Sequence, residues 1–390
     1  MTSSFRPARR ITDLPPYLFA ELDRKVSAKR AEGADVISFG IGDPDFPTPP
    51  HIVEALKKAV DDPSTHHYPS YAGMPELREA IAAWMQRRFD VTLDPSSEVL
   101  PIWGSKEGIV HLPWALIDDG DVALCGDPGY PPYDTSTRLS GGEPVALPLT
   151  RERGFLPDLG AVEADVAGRT KVMFLDYPGN PTGATCDPAF FEEAVAFSRR
   201  HGILLAHDAA YSEITYDGYV APSVLQVDGG KDMAVEFHSF SKTYNMTGWR
   251  IGWICGSAEA IEALGRLKTN LDSGIFTAIQ RAAIAALEGP TDFLDQQLDV
   301  FASRRDRAVE GLRDAGLDAW TPKGSFYLWV PVPDGETSTS FASRLLDDAA
   351  VVVAPGNGYG EYGEGYVRFS LTLPDPELDE GIARIRKVCG

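Results

Sequence analysis

The sequence predicts an α/β protein, with a large domain whose mostly parallel sheet lies between helices and a smaller α+β domain. Three observations carry this. From about residue 98, short apolar runs alternate with helical stretches. Four polar motifs each follow directly after one of those runs. After Ile279 the alternation gives way to one long helical region and a few isolated strand-like runs. Strand–helix alternation is how a parallel sheet covered on both faces is written in sequence.

The elements follow in order. Residues 11–30 read as an arm plus a helix, and residues 36–41 as a short apolar segment. In GDPDFPTPP (42–50) the prolines and glycine forbid regular structure. Residues 51–60 and 75–89 read as helices; Pro75 suits a first helical position, and Leu77, Ile81, Trp84 and Met85 share a face. Strand-like runs occupy 99–103, 121–125, 171–175, 203–206 and 233–238, with helices at 105–116 and 188–200. The later part predicts a helix over 292–315, the strand FYLWV (326–330), a helix near 340–349, the strands VVVAP (351–355) and GYVRFS (365–370), and a final helix. The expected division is 1–48 as an arm and part of the small domain, 49–285 as the large domain and 286–390 as the small domain.

The chain has 390 residues and a net charge of −21. Such an acidic surface disfavours nucleic acid and anionic membrane as partners. If the ligands are anions, basic residues must gather in a pocket against that field. Cys125, Cys186, Cys255 and Cys389 are scattered without CxxC spacing, and the seven histidines form no HExxH pattern, so no metal site is expected. MTSSFRPARR lacks an apolar core of the signal-peptide type and no run reaches membrane-spanning length. A cytoplasmic protein with reduced thiols is the expectation.

In such sheets ligands bind beyond the carboxyl ends of the strands. DPGYPPY (127–133), DYPGNPTG (176–183), HDAAYSE (207–213) and SFSK (239–242) all fall there. The most informative segment is SFSKTYNMTGWR (239–250), which sets Lys242 among small hydroxyl residues with Arg250 eight positions on. A lysine that forms a Schiff base with an aldehyde cofactor needs this setting. The cation holds a phosphate and discourages protonation of the amine, while Ser239 and Ser241 can donate to phosphate oxygens. The reading is pyridoxal 5'-phosphate, whose electronics do the carbanion chemistry. The plain alternative is a solvated lysine beside a surface arginine. GSKEG adds a second anion site: Gly104, Ser105 and Lys106 open a helix after a strand, and a bound dianion would turn Lys106 from mildly unfavourable to favourable against the helix dipole.

These motifs, in this order, resemble the fold-type I pyridoxal-phosphate-dependent aminotransferases of class I and II over nearly the whole chain. GIGDPDFPTP, YPSYAGMPELR, GSKEG, HDAAYSE, EFHSFSKTYNMTGWR, NLDSGIF and PGNGYGEYGEGYVR look most like the LL-diaminopimelate aminotransferases within that family. The resemblance implies roles. Lys242 is the Schiff-base lysine and proton shuttle. Asp208 faces the pyridine nitrogen, although an Asp there could simply cap the AAYSE segment. Tyr211 and Asn180 hold the ring oxygen; here Gly179 replaces the first Asn usual in the family motif. Gly104, Ser105, Lys106, Ser239, Ser241 and Arg250 cup the phosphate, joined by Tyr68 of a neighbouring subunit, which implies a homodimer with shared active sites. Tyr130 stacks on the ring. Arg368 pairs with the substrate α-carboxylate and Gly42 offers it a backbone N–H; taken alone, Arg368 would read as a strand-face salt bridge. Tyr17, Lys106 and Asn270 reach toward the distal end of the substrate, Asn270 from the partner chain.

The leading expectation is transamination of LL-diaminopimelate with 2-oxoglutarate, in lysine and diaminopimelate biosynthesis, the ligands being an amino acid and a 2-oxo acid. The alternatives are an alanine–glutamate or other broad transaminase, a carbon–sulfur lyase and a pyridoxal-phosphate-sensing transcription regulator; against the last, only about 30 residues precede the first core strand and the net charge opposes DNA binding.

Overall fold

The computed structural model describes residues 6–14 and 18–390. Twelve strands occur among them: β1 (Ile37–Ser38), β2 (Val99–Ile102), β3 (Val122–Asp127), β4 (Glu143–Pro148), β5 (Thr170–Asp176), β6 (Leu204–Asp208), β7 (Ala234–Ser239), β8 (Gly252–Gly256), β9 (Tyr327–Pro331), β10 (Val351–Val352), β11 (Ala354–Pro355) and β12 (Tyr366–Ser370). Seven form one sheet in the order β2-β8-β7-β6-β5-β3-β4. Only β8 runs against its neighbours; the other pairings are parallel.

Side-chain alternation gives this sheet two apolar faces. On β5, Met173 and Leu175 join one core while Val172 and Phe174 join the other. The first core is closed by the helices Pro75–Phe89, Pro188–His201 and Thr277–Glu288, the second by Ser105–Leu116 and Ala258–Leu271. Leu77, Ile81 and Met85 are fully buried, whereas Trp84 stays partly exposed with its edge on His238 and Trp253. A strand buried on both faces is apolar throughout, which is why these runs were visible in the sequence.

A third core lies around a three-stranded antiparallel sheet, β11-β12-β9. The helices Asp292–Asp314, Ser338–Ala349 and Asp375–Cys389 pack there, together with β1, which pairs with β10. The VVVAP run is not one strand: it splits at Val353 into β10 and β11, which join different sheets. Two strands escaped the sequence reading. β4 is an edge strand and carries Pro144 and Pro148, residues an edge tolerates because a missing N–H need not face a neighbour. β8 is short and lies between two glycines, Gly252 and Gly256. Among the described residues, no helix is long and apolar enough to cross a membrane.

Candidate active site

The four motifs after β3, β5, β6 and β7 share one edge of the sheet, since those strands are parallel. Register extends the edge: Gly252 pairs with Ser239 on one side and with Ile102 on the other. The ends of β2 and β7 and the start of β8 are therefore level, and residues flanking all three meet.

Gly104 follows β2 with φ +77, and the helix Ser105–Leu116 begins at the next residue. A Cβ on Gly104 would lie 2.5 Å from Arg250 Nη2. A Cβ on Gly252 would lie 3.0 Å from the Ser105 nitrogen. The two bare α-carbons thus let the guanidinium and a helix N-terminus approach closely. Arg250 itself has φ +54, and its Nη1 donates to the Thr247 carbonyl at 2.5 Å. Ser239 Oγ accepts from the Ser241 N–H at 3.1 Å, and both serines are buried. Hydroxyls, an arginine and a helix N-terminus gathered over glycine make a cradle suited to a phosphate. Lys106 is exposed in the helix's first turn.

Lys242 Nζ donates to the Gly42 carbonyl at 2.6 Å. Burial, opposed by Asp43 and assisted by Arg368 and Arg250, brings its amine down from 10.5 to about 8. The carbonyl is presented by a tightly fixed loop: a Cβ on Gly42 would fall 1.9 Å from the Tyr327 hydroxyl oxygen. Further along, Asp45 is gripped by both terminal nitrogens of Arg304 at 2.7 and 2.8 Å, while Arg304 Nε donates to Asp375 at 2.7 Å.

Asp208 ends β6, buried, with Tyr133 donating to its Oδ2 at 3.0 Å. The Tyr133 ring stacks on Phe174 at 4.8 Å, which fixes the hydroxyl's aim. Burial raises the Asp208 carboxyl; the Tyr133 O–H, His207, the Ala210 N–H and His238 draw it back. The residues after it form a turn, not a helix, so Asp208 is no helix cap. Tyr211 is buried with its hydroxyl 3.0 Å from that of Tyr327. Arg368, 1% exposed, donates from Nη1 to Asn180 Oδ1 at 2.7 Å and from Nη2 to the Gly40 carbonyl at 2.7 Å. Its guanidinium lies 4.1 Å from the Tyr327 ring centroid. Two of its hydrogen-bond acceptors are thus neutral oxygens, the Asn180 amide and the Gly40 carbonyl.

Lys242, Asp208, Tyr211, Asn180, Ser239, Ser241, Arg250, Arg368, Gly42, Gly104 and Ser105 thus surround one cleft between the main sheet and β9–β12. Tyr130 is half-buried with its ring edge on Tyr133. Tyr130 also lines a cavity of about 600 Å³ that runs from Asp127 to Asn357, beside the cleft and away from Lys242. Tyr68 is 91% exposed, and the Asn270 amide donates to the Arg266 carbonyl on its own helix. Tyr17 lies outside the described residues. The sequence reading passed over Tyr133, Tyr327, Asp176 and Arg304. Tyr133 sat within DPGYPPY, three residues beyond Tyr130, but Tyr327 was hidden inside an apolar run and Arg304 inside a long charged helix.

The family model for aminotransferase class I and II matches residues 34–385. An LL-diaminopimelate aminotransferase of Desulforudis audaxviator (strain MP104C) is 56% identical over 387 residues, 99% of each chain. One of Moorella thermoacetica (strain ATCC 39073 / JCM 9320) is 53% identical over 383 residues, 98% of each chain. Among solved structures, apo-BacF from Bacillus subtilis superposes with a TM-score of 0.96 at 38% identity, covering 99% of each chain. The family model and these relatives show that the chain belongs to the class I and II aminotransferases, with their type I fold.

Proposed function

We propose that the chain is a pyridoxal-phosphate-dependent LL-diaminopimelate aminotransferase, exchanging an amino group between LL-diaminopimelate and 2-oxoglutarate. The observation that carries the chemistry is the Lys242 Nζ held on the Gly42 carbonyl at 2.6 Å, where burial brings the amine down to about 8. The substrate rests on relatives of that name that match the chain from end to end.

When bound, pyridoxal phosphate supplies an electron sink for the charge left on a substrate carbon that loses its proton. Gly104, Ser105, Ser239, Ser241 and Arg250 fit its phosphate, with Lys106 at the rim and Tyr68 contributed by a second copy of the chain. Asp208 is placed for the ring nitrogen, Tyr211 and Asn180 for the ring oxygen, and Tyr130 for the ring face. Lys242 Nζ holds and moves the proton at the substrate Cα, a task for which an amine near neutral pKa is suited. Arg368 binds the α-carboxylate with the Gly42 N–H beside it, and these contacts orient the Cα–H bond toward Lys242. Tyr17, Lys106 and Asn270 are the candidates for the distal amino-acid head. The reading implies a homodimer with shared sites in the cytoplasm.

Half-reactions followed by cofactor absorbance test it. LL-diaminopimelate is expected to discharge the aldehyde absorbance and 2-oxoglutarate to restore it. If alanine or an aromatic amino acid discharges it while LL-diaminopimelate does not, the substrate assignment is wrong.

A further inference from the structure

Asp176 closes β5 as Asp208 closes β6, and the two are register partners on parallel strands. Adjacent strands lie about 4.8 Å apart, and paired positions project from the same face. Two carboxylates therefore stand side by side at the floor of the cleft, on the face where Phe174 packs under Tyr133.

Their surroundings differ. Asp208 accepts the Tyr133 O–H and the Ala210 N–H, with His207 and His238 behind it. Asp176 accepts one N–H, from Asn180 to Oδ2 at 2.9 Å, while its Oδ1 is shut off from solvent with no partner. The titratable groups facing Asp176 are Asp208 from β6, the phenols of Tyr133 and Tyr177 from the surrounding loop and helix, Tyr211 from the turn after β6 and Tyr327 from β9. Burial holds all four phenols above their ordinary range, so they stay neutral. Two adjoining buried carboxylates do not both ionise. The one with the poorer set of donors keeps the proton.

We infer that Asp176 is a positioning residue carried as the neutral acid, so that the pair presents a single negative charge, on Asp208, to the ring nitrogen of the cofactor. The inference rests on the pyridoxal phosphate reading above. Burial and the charge of Asp208 push the Asp176 carboxyl well up, in agreement with this arrangement. The neutral acid has two tasks: its Oδ2 fixes the Asn180 loop, and its protonated Oδ1 keeps a second charge out of the buried cleft floor. A carboxamide reproduces both, because an Asn oxygen can take the Asn180 N–H and its NH2 can stand where the acid O–H stood.

The test compares the wild type, Asp176→Asn and Asp176→Ala in two measurements. The first is the melting temperature of cofactor-free protein from pH 5 to 8.5. A carboxyl raised in the folded state binds more protons there than in the unfolded chain, so its contribution to stability falls as pH rises above about 3.9. Asp176→Asn lacks that slope. It is expected to melt above the wild type at pH 8, with the gain shrinking toward pH 5. The second is pyridoxal phosphate affinity by fluorescence titration. Asp176→Asn is expected within about twofold of wild type and Asp176→Ala weaker by about tenfold, since it strands the Asn180 N–H. An Asp176→Asn protein that melts below wild type at pH 8, or whose difference from wild type does not change with pH, overturns the inference. Wild-type protein that fails to bind pyridoxal phosphate would instead overturn the cofactor reading, while the melting series still decides where the proton sits.

Discussion

The buried amine of Lys242 offers a quantitative test of the site. At a pKa of about 8, about a tenth of the amine is neutral at pH 7, against about three parts in ten thousand for an ordinary lysine. The gain in nucleophilic form is about 300-fold. Competitive labelling of cofactor-free protein with an amine-selective reagent, read at Lys242 by mass spectrometry across pH 6–11, measures the midpoint directly. The expected value is near 8, with Asp43→Asn moving it down and Arg368→Gln moving it up, because Asp43 raises the amine and Arg368 lowers it. The same shift appears in stability. Between about 8 and 10.5 the unfolded chain binds the proton that the folded chain has lost, so stability of the cofactor-free protein rises with pH through that window. At pH 7 the shift of 10.5 to about 8 corresponds to a cost of about 3 kcal/mol for keeping the amine in the cleft. Lys242→Met removes that cost along with the bond to the Gly42 carbonyl, and is expected to melt higher at pH 7 with an advantage that fades above pH 10. A labelling midpoint above 9.5 would refute the account of the site, as would a Met variant whose stability follows wild type at every pH.

Two further outcomes follow from geometry. Glu236 is buried on the opposite sheet face, bonded by His207 Nδ1 at 2.9 Å, His238 Nε2 at 2.7 Å and the Ser223 hydroxyl at 2.9 Å. Burial would raise its carboxyl, but the two histidines hold it well below the usual range. Its stabilisation is therefore complete above the unfolded value and lost as pH falls toward the folded one. Glu236→Gln is expected to cost about 3–5 kcal/mol in urea unfolding, flat from pH 8 to 5 and shrinking in more acid solution. Tyr68, 91% exposed, is expected to complete a partner's cradle. Lys242→Ala and Tyr68→Ala chains, each inactive alone, should regain about a quarter of wild-type activity when unfolded and refolded together, since half the dimers are hybrids with one intact site; no recovery would rule out sharing.

The site was legible where its chemistry is local. The stretch from Ser239 to Arg250 carries lysine, hydroxyls and arginine within one turn and one strand start, and the strand-end motifs follow from the alternation of apolar runs. What escaped notice is what pairing creates. Asp176 and Asp208 are 32 residues apart and become neighbours only because β5 and β6 align in one register. Tyr327 looked like core because β9 is apolar along its length, yet its hydroxyl meets Tyr211 and its ring supports Arg368. Arg304 sits in a charged helix whose periodicity shows a buried stripe but not the loop it will hold. Its clamp on Asp45 closes a separation of 259 residues. The helices that the sequence reading named at 75–89, 105–116 and 188–200 lie almost to the residue where expected, since proline starts and glycine stops are written locally, as at Pro188 and Gly202, but Pro132–Ser140, Ala258–Leu271 and Thr277–Glu288 were not named.

One strand direction decides whether the cradle can exist. The strongly acidic chain must collect Arg250 and Lys242 at a single point, and the six strands that share one direction supply only carboxyl ends there. β8 runs the other way. Arg250 precedes it, so the arginine arrives at the edge where β7 ends at Ser239 and β2 ends at Ile102, just before Gly104. Were β8 parallel, its five residues would carry Arg250 about 16 Å to the far edge at roughly 3.3 Å per residue. The two glycines that kept β8 from being noticed bear on the same point. A side chain at Gly252 would meet the His238 carbonyl oxygen at 2.6 Å and the Ser105 nitrogen at 3.0 Å. The residue that weakens the strand signal is the one that lets three elements approach this closely, so the poor legibility of β8 and the formation of the cradle have a single cause.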